Sequence, residues 1–197
     1  MLTISVKSNL DAIMRDFERK YVKQIPFAMA KALTDTARDV QQEVTRQLPE
    51  IFDRPTPFTM RAIGFSRATK QSLTSTVFVK DIQAAYLKLE VLGGTRTPAK
   101  RALVLPTDLP TNQYGNIPRG QIKRLLARRD VFSGKVRGIA GIWQRTAARG
   151  LILLVAYEPK ATYPKRFPFY DIGKRVVMQR IEPNFRAAWA YAVATAR

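Results

Sequence analysis

The sequence predicts an α+β fold, and three observations carry that prediction. Long stretches of helical periodicity stand near the two ends. Short apolar runs with strand alternation lie between them, in an order that is not a regular strand–helix repeat. The chain of 197 residues is 46% hydrophobic and 10% aromatic, enough to bury a sizeable core.

The elements follow in chain order. Thr3–Lys7 alternates and reads as a short strand, with Leu2, Ile4 and Val6 on one face. Ser8 and Asp11 form a helix-start signal, since a carboxylate three residues after the cap favours the helix dipole. Leu10, Ile13, Met14, Phe17 and Tyr21 follow at helical spacing, and Phe27, Leu33, Ala37, Val40, Val44 and Leu48 continue the stripe. Residues 9–48 are therefore expected as one long amphipathic helix kinked near Pro26, or as a helix pair whose second member starts at Pro26. Pro49 is expected to end it. Thr56-Pro57 reads as a cap and first turn of a short helix through Ile63, stopped by Gly64.

Ser72–Lys80 reads as a strand with Ser75, Val77 and Val79 on one face. Ile82, Ala85, Tyr86 and Leu89 return to helical spacing, and Gly93-Gly94 supplies the C-terminal cap. Residues 95–149 are rich in Pro and Gly and are expected to be a long basic loop. Gln121–Arg129 forms a short helix within it, and Val131–Phe132 and Ile139–Trp143 are candidate strands. Leu151–Tyr157 is the longest apolar run and is expected as a central, buried strand. A turn over 159–170 leads to a C-terminal helix that Pro183 should bend or break. The organisation expected is one domain, residues 1–197, with a basic, loop-rich insertion at about 95–149.

Charge and missing residue types exclude whole classes of chemistry. The chain has 34 Lys+Arg against 15 Asp+Glu, a formal net charge of +19, and no His or Cys. Without imidazole or thiol there is no Ser-His-Asp or Cys-His nucleophile system, no ordinary zinc site, no iron–sulfur cluster and no disulfide. No apolar run approaches the roughly 18 residues of a membrane span. The N-terminus lacks the basic and apolar regions of a signal peptide, so an intracellular soluble protein is expected. Its partners should be polyanionic. Residues 95–149 concentrate the charge, with twelve Lys/Arg against Asp108 and Asp130. Such residues give salt-dependent affinity for phosphates without sequence information, or dock acidic protein surfaces.

Two carboxylate groupings call for a test. Asp35, Asp39 and Glu43 repeat every four residues on one helical face, as a metal ladder would, but Lys31, Arg38 and Arg46 stand within reach to neutralise them. Asp81 and Glu90 with Lys80 and Lys88 hint at a metal nuclease, yet that chemistry wants Glu-x-Lys on a strand and here the order is Lys88-Leu89-Glu90 on a helix. Gly93-Gly94-Thr95, Gly138 and Gly141 match no phosphate-binding loop. No cofactor is expected.

Seven short runs nevertheless stand in a telling order. They are Gln24-Ile25-Pro26-Phe27-Ala28 with Ala32-Leu33-Thr34; Phe52-Asp53-Arg54-Pro55-Thr56-Pro57-Phe58-Thr59; Val79-Lys80-Asp81 with Ala85-Tyr86-Leu87; Gly93-Gly94-Thr95-Arg96; Leu103-Val104-Leu105-Pro106; Asn112-Gln113-Tyr114-Gly115-Asn116-Ile117-Pro118; and Ala161-Thr162-Tyr163. Together they resemble the tail-completion (minor tail protein Z) family of tailed bacteriophages and prophages, over residues from about 20 to about 170. The resemblance implies a non-enzymatic virion component at the head–tail junction, assembled in the bacterial cytoplasm. It implies a long N-terminal helix across a small antiparallel sheet, and a loop reaching toward neighbouring subunits. It further implies a homo-oligomeric ring, with a hexamer the expected symmetry. Partners would be head-completion or connector proteins, tail-terminator or tail-tube proteins, and the double-stranded DNA passing through the channel. A ring subunit meets its neighbours by head-to-tail contacts, and a loose basic loop can order on docking. On this reading the contact residues are Arg96, Tyr114, Ile117, Arg119, Lys123, Arg128, Arg129, Lys135 and Arg137, facing acidic neighbours rather than the DNA. The alternative is a basic, non-catalytic protein that binds double-stranded DNA.

Overall fold

The computed structural model describes residues 2–6, 22, 24–98 and 102–195. The fold is α+β, and the chain divides into two compact units. Unit 1 comprises Met1–Val91 and Arg166–Arg197; unit 2 comprises Leu92–Lys165.

Unit 1 is built on two long helices, α1 (Ile25–Ile51) and α5 (Phe169–Ala194), which lie against each other. They pack with a three-stranded antiparallel sheet of β1 (Thr3–Val6), β2 (Ile63–Phe65) and β3 (Ser75–Val79), in the order β1-β3-β2. The expected faces are realised on β3, where Ser75, Val77 and Val79 are buried. Val40, Val44 and Leu48 of α1 meet Val77 and Val79 of the sheet, joined by Leu87, Phe167 and Ile172. A second cluster forms where Ala28, Met29 and Ala32 of α1 meet Phe185, Ala188 and Ala192 of α5. Alanines there let the two backbones approach closely, and burial of the flanking apolar surface supplies the stabilisation.

Three proline and glycine expectations are settled by position. Pro26 sits in the first turn of α1, where the missing N–H has no partner to lose; the expected helical stretch before it falls on 7–21, outside the described residues. Pro49 does not end α1, which continues to Ile51. It stands in the last turn, so the loss is a single intrahelical hydrogen bond, and Phe52 N–H still bonds Leu48 O at 2.9 Å. Pro183 does not break α5, which runs on to Ala194.

The short helix does begin at the Thr56 cap, whose Oγ1 accepts from Thr59 N–H at 3.2 Å. However, α2 (Pro57–Met60) stops three residues early and Ile63–Phe65 is strand β2. Gly64 is therefore no helix stop. It pairs with Phe78, and a Cβ there would lie 2.9 Å from the Phe78 ring. The glycine gives the ring room to lie across the sheet.

In α3 (Asp81–Leu92) Leu87 and Val91 face the core, and Gly93 follows in the left-handed conformation (φ 71°) as the expected C-terminal cap.

Unit 2 contains a two-stranded ribbon of β4 (Gly94–Arg96) and β9 (Ala161–Tyr163). Its main body is a four-stranded antiparallel sheet of β5 (Leu103–Pro106), β6 (Val131–Val136), β7 (Ile139–Thr146) and β8 (Gly150–Glu158). The order is β5-β8-β7-β6, so the Leu151–Tyr157 run does occupy a central strand. Helix α4 (Gln121–Leu126) and the irregular segment 107–120 lie beside this sheet. Either side of that segment, residues 95–149 hold longer strands than the sequence pattern suggested. Gly134, beyond the candidate strand Val131–Phe132, and Gly141, within the candidate strand Ile139–Trp143, lie inside β6 and β7 opposite each other. A bulge interrupts the β7–β8 register between Ile142 and Trp143.

Candidate functional site

The nine sequence-selected contact residues all fall in unit 2, but the structure gives them different work. Arg96 ends β4 and is exposed. Tyr114, half-buried, sits in a turn organised by Asn112, whose Oδ1 accepts from Tyr114 N–H and from Asn116 N–H, each at 3.0 Å. That is a side chain holding its own backbone two residues on, a standard device for closing a loop. Ile117 packs against the unit's own core of Leu109, Leu125, Val131, Ile142 and Val155. It also lines a groove of about 430 Å³ with Val104, Pro106, Pro118 and Ile122.

The cations divide between the two ends of the sheet. Arg119 is exposed just before Gly120, whose positive φ (78°) opens α4, and Lys123 is exposed on that helix. Arg128 and Arg129 follow α4 at the start of β6. Arg128 pairs with Asp130 at 2.6 Å. Asp130 also accepts from Gln144 Nε2 at 2.9 Å, and the Arg128 hydrogen bond, then Gln144, hold its carboxyl below the usual range. Lys135 is exposed on β6, and Arg137 forms the β6–β7 turn with φ 50°, a left-handed conformation that is unfavourable for a side chain of this kind. Residues 128–129 and 137 thus stand at opposite ends of β6. Sequence reading singled out neither Arg145 nor Arg149 as contacts. Arg145 lies over the Phe132 ring at 4.1 Å, a cation–π geometry set by strand register.

In unit 1 the carboxylate ladder becomes an ion-pair seam. Asp35 accepts from Lys31 at 2.7 Å and Arg38 at 2.6 Å. Asp39 accepts from Arg180 at 2.9 Å and Asn184 at 2.8 Å, both from α5. Glu43 accepts from Arg46 at 2.8 Å and Gln47 at 2.5 Å, with Arg175 at 3.7 Å. The Arg46 and Gln47 bonds hold the Glu43 carboxyl down at about 2. For Asp35, burial opposes ionisation but the Lys31 and Arg38 bonds prevail and lower it. The sequence supplied Lys31, Arg38 and Arg46; the partners from α5 are a product of packing.

Among the described residues of unit 1, Glu90 is the buried charge. Its side chain is only 8% exposed, and Arg166 grips both carboxylate oxygens, one at 2.9 Å. Its backbone carbonyl accepts from Arg166 N–H and Phe167 N–H, each at 2.9 Å. The Arg166 guanidinium also lies 5.2 Å from the Phe52 ring centre. This is a structural clamp; Asp81 opens the same helix nine residues earlier. Among the described residues no group of three His, Cys, Asp or Glu is arranged to hold a metal ion. No described helix is long and apolar enough to cross a membrane.

No protein-family model, no curated protein and no solved structure matches this chain.

Proposed function

We propose that this chain is a structural, non-catalytic virion protein that completes the head-proximal end of a bacteriophage tail and joins it to the head as a subunit of a ring. The observation that carries this reading is the order of seven short motifs resembling the tail-completion family, spread from the start of α1 to β9. Several of these motifs sit at positions that shape the backbone rather than do chemistry. Pro26 opens α1, Thr56-Pro57 opens α2, Gly93 closes α3 and Asn112 closes a loop. The long helix α1 packed on a small antiparallel sheet also agrees with the fold that the resemblance implies.

The exposed cations of unit 2 favour one competing reading, a basic protein that binds double-stranded DNA as a monomer. One pair of measurements separates the two. Under the first reading, sedimentation velocity or mass photometry shows a ring-sized assembly, alone or on addition of purified tails that lack the protein. A monomer that leaves such tails unchanged and binds a DNA duplex with steep salt dependence would overturn it.

A further inference from the structure

Strand β5 is an edge of the four-stranded sheet of unit 2, and a groove lies beside it. Register decides which groups of β5 face outward. Along an antiparallel pair, successive residues point their main-chain N–H and C=O alternately at the neighbour and away from it. Thr107 N–H donates to Leu154 O at 3.0 Å. The pairing of Leu103 with Glu158 and Leu105 with Ala156, carried on two residues, places Thr107 opposite Leu154. Leu103, Leu105 and Thr107 therefore bond β8, and Val104 and Pro106 turn their main-chain groups outward. Pro106 suits that place, since a proline has no N–H to leave unpaired at an edge. Val104 N–H, Val104 O and Pro106 O take no part in the turn, loop and cap hydrogen bonds of the described residues.

The side chains of the same two residues open on the groove. Val104 pairs with Tyr157 and Pro106 with Val155, so both stand on the face that Leu109, Ile117 and Leu125 cover. The groove, about 430 Å³, has Val104 and Pro106 as one wall and Ile117, Pro118 and Ile122 as the other. Among the described residues none of β8 lines it, which sets it at the margin of the sheet and not over its centre. Val104 is 43% exposed, and Pro106, Ile117, Pro118 and Ile122 are half-buried. An open strand edge with an apolar groove along it is how a sheet captures an extended peptide: main-chain bonds align the peptide and alternate side chains enter the groove. A residue set opposite Val104 in antiparallel order would bond it through both main-chain groups. Its side chain would lie on the Val104 face, in the groove.

We propose that β5 takes an extended segment of a partner protein as a fifth antiparallel strand, with a branched apolar side chain in the groove and carboxylates on either flank. Charge sets the flanks. Arg119, Lys123 and Arg124 are exposed next to the groove residues Pro118 and Ile122, and residues 109–127 contain no acid. Asp108, two residues beyond Pro106, is the exposed acid nearest to the groove in sequence. A second copy of this chain is a poor occupant, because pairing β5 with β5 sets these cations against their own copies, and unit 2 holds fourteen Lys/Arg against three acids. A short edge strand ending in proline also resists open-ended pairing, which confines the site to a short segment. Every observation used lies within unit 2, so the inference stands apart from the ring reading.

The test uses the unaltered full chain and a short fluorescein-labelled peptide in which Thr alternates with Val or Ile and Glu stands at both ends. Three counterparts are N-methylated at Val and Ile, N-methylated at Thr, or ended with Lys in place of Glu. In the proposed strand the groove-facing Val and Ile are the residues whose N–H meets β5. The Glu-ended peptide is expected to bind by fluorescence anisotropy and to slow amide exchange at Val104 about tenfold or more. Val/Ile methylation and Lys ends are each expected to weaken binding about tenfold or more, and Thr methylation to leave it within about threefold. The proposal is overturned if the Glu-ended peptide does not bind by about 1 mM, or if the two methylated peptides bind alike. Equal binding of the Lys-ended peptide, or unchanged exchange at Val104, also overturns it. So does protection of Val104 that grows with protein concentration and no peptide, which would give the edge to a second copy. Every comparison alters the peptide and none the protein, so no misfolded variant can mask the result.

Discussion

Two glycines paired across β6 and β7 should respond oppositely to the same substitution. At Gly141 an added Cβ would lie 2.2 Å from Val155 O and 2.7 Å from Leu153 Cδ1. The first of these is backbone of the neighbouring strand, beside the bulge, and cannot turn away as a side-chain tip would. Relieving the contact requires the strands to separate by about an ångström, since ordinary contact begins near 3.4 Å. Overpacking of this kind costs about 1–3 kcal/mol, and each ladder hydrogen bond lost to the separation adds about 1 kcal/mol. Alanine recovers about 0.5–1 kcal/mol of strand preference, leaving Gly141→Ala destabilising by about 2–3 kcal/mol. At Gly134 the added Cβ would meet only the Phe132 ring at 3.6 Å, an ordinary contact, so Gly134→Ala should be neutral or stabilising by about 0.5 kcal/mol. Urea unfolding followed by Trp143 emission in a Trp189→Phe background measures both. Equal effects at the two glycines, or a harmless Gly141→Ala, would refute the register and bulge from which the difference is derived.

Other consequences concern unit 1. Arg166→Ala leaves the Glu90 carboxylate enclosed without its bidentate partner and should destabilise unit 1 by about 2–3 kcal/mol in urea titrations; adding Glu90→Leu should restore part of that loss, since an apolar residue has no charge to desolvate. The Glu43 carboxyl titrates at about 2 when folded, against an ordinary value of 4.5. A depressed folded value means stability present above pH 4.5 that is lost as pH falls toward 2. Glu43→Gln should therefore flatten the fall of the urea midpoint across that window, and an unchanged slope would show that the Arg46 pairing does not persist in solution. Pro183→Ala should raise the thermal midpoint, because it returns an N–H donor to an exposed position inside a continuous helix and removes a steric conflict, together worth about 1–3 kcal/mol.

Legibility in the sequence followed the range of the interactions involved. The fold class, the alternation of Ser75, Val77 and Val79, the Thr56 cap and the central place of Leu151–Tyr157 were all readable. Each rests on neighbours within a few positions or on a single uninterrupted apolar run. Pro49 and Gly64 were misread for a related reason: their local rules are real, but position in a last turn and the ring of Phe78 decided the outcome. The structure gives the contact residues different settings. Arg119, Lys123 and Arg129 are exposed, while Ile117 is partly buried against the core of unit 2. Arg145 was passed over because its setting comes from Phe132 on the adjacent strand.

The sequence by itself determined the strong positive charge, the absence of imidazole and thiol chemistry, the helical and strand periods, and the motif order behind the proposed role. These are properties of composition and of residues close together in the chain. Only the tertiary structure decided that Glu90 is clamped by Arg166 from far along the chain, and that Asp39 belongs to a seam with α5. It also decided which residues of the unit 2 sheet share a face, with Gly141, Trp143 and Ala156 buried there and Leu105, Ile139 and Leu151 exposed at its margins. An apolar strand residue announces that it will be buried against something, but strand pairing and register alone determine which residues share a face and whether the chain covers it.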